Sequence, residues 1–156
     1  MNKILVSYFS ATGTTKSVAS KVGNILKADL FEITPVNKYT NEDLDWTNKS
    51  SRTTIEANDI SIRPEIKEKV ANIDNYDTVI IGFPVWWYKE PSIIDTFIEE
   101  NDLSNKNVYI FVTSGGSSYE SSLNNLRQTY KDINFINGKR LSNNSSEDEI
   151  KNFINN

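Results

Sequence analysis

Ile4-Leu5-Val6-Ser7-Tyr8-Phe9 runs directly into Ser10-Ala11-Thr12-Gly13-Thr14-Thr15-Lys16, and this junction sets the fold. The first six residues form a short, nearly continuous apolar run, as expected of a strand buried on both faces. From Thr15 to Leu26, Val18, Val22 and Ile25 recur at helical spacing. A strand-to-helix turn points several backbone N–H groups at one spot, at the positive end of the helix dipole. An anion belongs there. Gly13 permits close backbone approach, and the hydroxyls of Ser10, Thr12, Thr14 and Thr15 are donors, a density that favours a terminal phosphate monoester. The same Ser and Thr residues would also serve as ordinary helix caps, so these residues alone leave both roles open. The Walker pattern is excluded because two threonines separate Gly13 from Lys16, and the dinucleotide Gly-x-Gly-x-x-Gly pattern is absent.

Working outward, Thr78 to Phe83 and Val108 to Val112 repeat the buried-strand pattern, while Leu30 to Ile33 and Ile133 to Ile136 interleave apolar and polar residues as edge strands do. Helical patterns fall between them at Pro64 to Ala71, Pro91 to Glu100, Ser122 to Tyr130 and Ser146 to Phe153. This β-α alternation predicts an α/β fold, a three-layer sandwich with a five-stranded parallel sheet of order 2-1-3-4-5. Residues 1–156 read as one domain. That topology places a ligand crevice at the carboxyl ends of strands one, three and four, so the loops that matter are 10–15, 84–90 and 113–119. The polar stretch Asn37 to Asn58, with Leu44, Trp46 and Ile55 as its apolar anchors, reads as a loose helix beside the site or as a surface insertion.

The second loop is Pro84-Val85-Trp86-Trp87-Tyr88-Lys89-Glu90. Three consecutive aromatics cannot all point inward, because successive side chains of an extended chain face opposite sides. At least one is therefore available to stack on a planar ligand. The third loop, Thr113-Ser114-Gly115-Gly116-Ser117-Ser118-Tyr119, pairs glycines that let backbone approach a flat ring with a tyrosine able to cover it. An ordinary turn leading into the next helix is the plainer reading of the same residues.

Composition narrows the chemistry. The chain has no Cys and no His, which removes thiolate nucleophiles, Ser-His-Asp triads, and the usual zinc, haem and iron–sulfur ligand sets, and no metal site is expected. Any redox centre must be an organic cofactor. With 17 basic and 21 acidic residues the net charge is −4, so no nucleic-acid or membrane partner is expected. The amino terminus is too short in apolar residues for a secretory signal, and the lack of Cys agrees with a soluble, cytoplasmic protein.

These residues resemble the flavodoxin family. Ser10-x-Thr12-Gly13-x-Thr15 resembles its FMN-phosphate signature, Pro84-Val85-Trp86-Trp87 is similar to the second flavin loop of bacterial flavodoxin-like proteins, and Gly115-x-Ser117-Ser118-Tyr119-Glu120 resembles the third loop of short-chain flavodoxins. The resemblance implies a flavodoxin-like fold with FMN as cofactor. Its phosphate would be held by Ser10, Thr12, Gly13, Thr14 and Thr15. The flavin ring would be lined by Pro84, Val85, Trp86, Trp87 and Tyr88, met at its polar edge by Thr113, Ser114, Gly115 and Gly116, and stacked by Tyr119. The second loop lacks the glycine that many flavodoxins carry there. The expected function is low-potential electron transfer to redox partner proteins or a small-molecule acceptor, with an NAD(P)H-dependent FMN reductase of quinones as the alternative.

Overall fold

The computed structural model describes residues 3–114 and 116–154. Strands β1 (Ile4–Tyr8), β2 (Asp29–Glu32), β3 (Thr78–Pro84), β4 (Asn107–Thr113) and β5 (Asn134–Arg140) form one parallel sheet in the order β2-β1-β3-β4-β5. The helices are α1 (Thr14–Leu26), α2 (Arg52–Asn58), α3 (Ser92–Glu100), α4 (Glu120–Thr129) and α5 (Glu147–Ile154). The expected topology is therefore the observed one.

Alternation along the central strands builds two cores, one on each side of the sheet. Leu5, Val79, Ile81 and Ile110 pack with Ile94 and Phe97 of α3 and Leu123 and Leu126 of α4. Val6, Ile80, Tyr109 and Phe111 face the other way, against Val18 and Val22 of α1 and Ile150 and Phe153 of α5. Each fully buried side chain of this size contributes roughly 1.5–3 kcal/mol, which is why β1, β3 and β4 read so clearly in the sequence. Within this packing Gly82 is obligatory. A Cβ there would lie 2.1 Å from Cζ of Phe111, so its absence lets that ring cross β3.

One segment differs from expectation, and a second takes one of its two expected forms. Residues 64–71 form no helix: Ile66 makes an antiparallel bridge to Pro35, with Val36 N–H donating to Glu65 C=O at 2.9 Å and Lys67 N–H to Thr34 C=O at 2.8 Å. Ile66 and Val70 are buried as the pattern required, but a spacing of four also puts two residues on one face of an extended chain. Residues 37–58 are not a bare surface insertion. Tyr39 is buried in the core, and the segment carries helix α2, capped by Ser51, whose hydroxyl accepts from Thr54 N–H.

Candidate functional site

The three loops converge because their strands are neighbours. Phe9 N–H donates to Gly82 C=O at 3.0 Å and Val85 N–H to Thr113 C=O at 3.3 Å, tying the ends of β1, β3 and β4 together. In the first loop Gly13 adopts φ 98, a left-handed conformation in which side-chain-bearing residues are strained, and α1 begins at the next residue. Gly13 N–H donates to Ser10 Oγ at 3.0 Å. The helix itself has no side-chain cap and no acidic residue in its first turn, so its N–H groups keep their capacity for an external anion. The capping role that the sequence left open is not what these residues do. Thr12 and Thr14 are exposed, whereas Thr15 is buried with its Oγ1 hydrogen-bonded to Thr113 Oγ1 at 2.7 Å, linking the first and third loops.

The second loop folds into a two-residue hairpin. Trp86 N–H donates to Lys89 C=O at 3.1 Å, and Lys89 N–H returns to Trp86 C=O at 3.2 Å. Trp87 and Tyr88 occupy its tip with φ 51 and 64. Positive φ at both tip positions is the signature of a type I′ turn, which normally selects Asn-Gly; here two aromatics bear the strain, of order 1–2 kcal/mol each. The turn separates three adjacent rings. Trp87 and Tyr88 are thrust outward, while Trp86 lies half-buried, edge-on to Phe9 at 5.6 Å and to Tyr39 at 5.5 Å.

Two adjoining cavities result. One, of about 190 Å³, is walled by Ala11, Thr12, Thr14, Thr15, Pro84 and Thr113. The other, of about 530 Å³, is walled by Val85, Trp86, Trp87, Tyr88, Ser117 and Thr53. Trp86 and Leu44 belong to both. Ser10 and Gly13 shape the first loop from outside these cavities; Ser10 instead lines a separate cleft with Ile33 and Tyr39. Ser114 donates to Ser117 C=O and holds the third loop in shape, and Gly116 has open space around its Cα. Tyr119 lines neither cavity: its half-buried ring lies over Gly138 of β5, where a Cβ would meet its Cδ2 at 2.6 Å. Gly115 lies outside the described residues.

Sequence reasoning missed what the 37–58 segment supplies. Leu44, Trp46 and Thr53 close the large cavity, and Trp46 is 73% exposed at its rim. A brace holds the segment in place. Arg52 Nε donates to Glu56 Oε2 at 2.9 Å, Tyr39 Oη donates to Glu56 Oε1 at 2.5 Å, and the guanidinium lies 3.7 Å above the Tyr39 ring. Burial, reinforced by the Glu56 bond, raises the Tyr39 hydroxyl far above its ordinary range, so it remains a donor. The only advance signals were a tryptophan in a polar run and the Arg52/Glu56 spacing of four.

A family model described as Flavodoxin matches residues 3–156. The chain belongs to the flavodoxin family. Among solved structures, this flavodoxin-family chain is 48% identical to a candidate flavoprotein from Bacteroides eggerthii, covering 99% of this chain and 97% of that one with a TM-score of 0.97. It is 43% identical to a candidate flavoprotein from Bacteroides uniformis, with 99% of each chain covered and a TM-score of 0.92. A flavoprotein from Lactobacillus acidophilus, solved in complex with FMN, is 25% identical over 99% of each chain, with a TM-score of 0.77. No curated protein matches the chain. Among the described residues, no helix is long and apolar enough to cross a membrane, and no cluster of three or more carboxylates forms a metal site.

Proposed function

We propose that this chain binds FMN non-covalently and works in the cytoplasm as a low-potential electron-transfer protein. The observation that carries the reading is the pairing of two cavities across Trp86: a small hydroxyl-lined one at the uncapped start of α1, and a larger aromatic one beside it. The residues fit the two ends of that cofactor. The hydroxyls of Thr12 and Thr14 and the N–H groups of the first α1 turn, that of Thr15 among them, would hold the phosphate. Val85, Trp86, Trp87 and Tyr88 would hold the flavin ring, with Leu44 and Trp46 as walls. Bound FMN supplies one- and two-electron chemistry that a chain without Cys or His lacks.

The chain's own contribution is electrostatic. Its net charge of −4 and apolar aromatic walls disfavour added negative charge in the cavity, which lowers the potential at which electrons enter. The electron partners in this reading are redox proteins, favoured when basic, or a small neutral acceptor. Anaerobic titration of the FMN-loaded protein with NADPH and with dithionite, followed by flavin absorbance, separates carrier from reductase. Bleaching by dithionite but not by NADPH is expected. Rapid bleaching by NADPH would instead make the protein an NAD(P)H-dependent reductase, and failure to take up FMN would end both readings.

A further inference from the structure

The first loop has a second side. Behind it, at the carboxyl ends of β1 and β2, lies a cleft of about 310 Å³, within the roughly 300–1,000 Å³ of small-ligand pockets. Phe9, Ile33 and Tyr39 give it apolar walls, and Val36 adds an apolar side chain left 44% exposed. Three charged side chains reach it from three places in the chain: Glu32 at the end of β2, Lys38 just before the buried Tyr39, and Lys67 beside the bridging Ile66. Glu32 is engaged, with Lys16 Nζ at 3.9 Å and the Tyr8 hydroxyl donating to it at 3.5 Å. Among the described residues, neither Lys38 nor Lys67 has an ion pair. Lys67 N–H donates to Thr34 C=O at 2.8 Å, which fixes its backbone at the cleft, so tertiary contacts gather two unpaired cations in a chain of net charge −4. Ser10 completes the lining. Its Oγ accepts from Gly13 N–H at 3.0 Å, which leaves the hydroxyl proton for an acceptor in the cleft.

We propose that this cleft is a second ligand site, which takes the phosphate monoester of a small apolar molecule. Near neutral pH such a group carries close to two negative charges, which Lys38 and Lys67 match, and its oxygens accept from Ser10. A carboxylate brings one charge and leaves one lysine idle. The apolar walls take the body of the ligand. The site is separate from the cofactor cavities. Phe9 and Tyr39 of the cleft meet Trp86 edge-on, at 5.6 and 5.5 Å, so this aromatic cluster stands between the cleft and the large cavity, while the first loop, through Ala11, parts it from the small one. The proposal therefore does not rest on FMN being the cofactor.

Titration of the FMN-loaded protein with phenyl phosphate, followed by calorimetry and by amide NMR shifts, tests the site. One equivalent should bind, with shifts at residues 32–38 and 67 rather than at 12–15. Lys38→Met and Lys67→Met should each weaken it by roughly three- to tenfold. Lys131→Met, the same loss of charge at an exposed lysine between α4 and β5, should leave it unchanged. Benzoate, with one charge, and inorganic phosphate, with no apolar body, should each bind at least roughly threefold more weakly. No binding to the loaded protein, shifts confined to 12–15, or an equal loss in Lys131→Met overturns the site. Benzoate binding as tightly as phenyl phosphate overturns the monoester, and inorganic phosphate binding as tightly overturns the apolar body. If FMN does not load, the cofactor reading fails on that result, while the same titration of the apoprotein still decides the cleft by where the shifts fall.

Discussion

Replacing Thr12 and Thr14 by alanine separates a phosphate site from a merely well-formed loop. Both residues are exposed and neither hydroxyl is needed by another described residue, so the fold should change by no more than about 0.5 kcal/mol. A hydroxyl donating to a phosphate dianion is worth about 1.5–3 kcal/mol, and about 1.4 kcal/mol is tenfold in affinity. Each single variant should therefore weaken FMN by roughly 10- to 100-fold. The double variant should weaken it further, though less than additively, because both groups serve one anion. Riboflavin, which lacks the phosphate, should bind all of these variants as it binds wild type. Thr15→Ala is the contrast. It strips the buried Thr113 hydroxyl of its partner and should cost about 1–3 kcal/mol of stability, weakening both ligands. Quenching of flavin fluorescence, titrated with FMN and riboflavin in parallel, reads all of this. Equal losses for the two ligands in Thr12→Ala and Thr14→Ala, or no loss for FMN, would refute the phosphate assignment.

Gly13→Ala meets no atom within 4 Å, so its cost is backbone strain at φ 98, about 1–2 kcal/mol, seen as a Tm drop of about 2–8 °C in the apoprotein. Gly82→Ala drives a methyl into the Phe111 ring and should cost about 3 kcal/mol; adding Phe111→Leu should recover about 1 kcal/mol or more of coupling in a double-mutant cycle. Arg52→Ala leaves the buried Glu56 carboxylate with Tyr39 alone. It should lower stability by about 3 kcal/mol in urea unfolding and loosen FMN binding, whereas an unchanged midpoint would remove the brace from the account.

The site was only partly legible in the sequence, and the reasons are particular. Thr12, Thr14, Thr15, Pro84, Trp86 and Thr113 fell on loops whose strands could be placed, so their convergence on one cavity followed from topology. Tyr119 lies against β5, where the missing side chain at Gly138 gives its ring a seat that no local pattern announces. Tyr39, Leu44 and Trp46 were hidden because their segment has little regular structure of its own. Its order comes from the Arg52–Glu56–Tyr39 brace, a set of contacts that no periodicity announces.

By itself the sequence determined the sheet order and the two-sided burial of β1, β3 and β4. These follow from local apolar runs, helical spacing and the handedness of β-α-β connections, all of which are written in short stretches of chain. Tertiary structure alone decided that 64–71 is extended, that Trp87 and Tyr88 stand at a strained hairpin tip, and that the Glu90 carboxylate is buried. Each depends on contacts with residues distant in sequence: the Pro35 bridge for Ile66, the Thr113 hydrogen bond to Val85 for the placing of the hairpin, and the Asn125 hydrogen bonds for Glu90. A spacing of residues can propose a face; only the neighbour across space settles what that face touches.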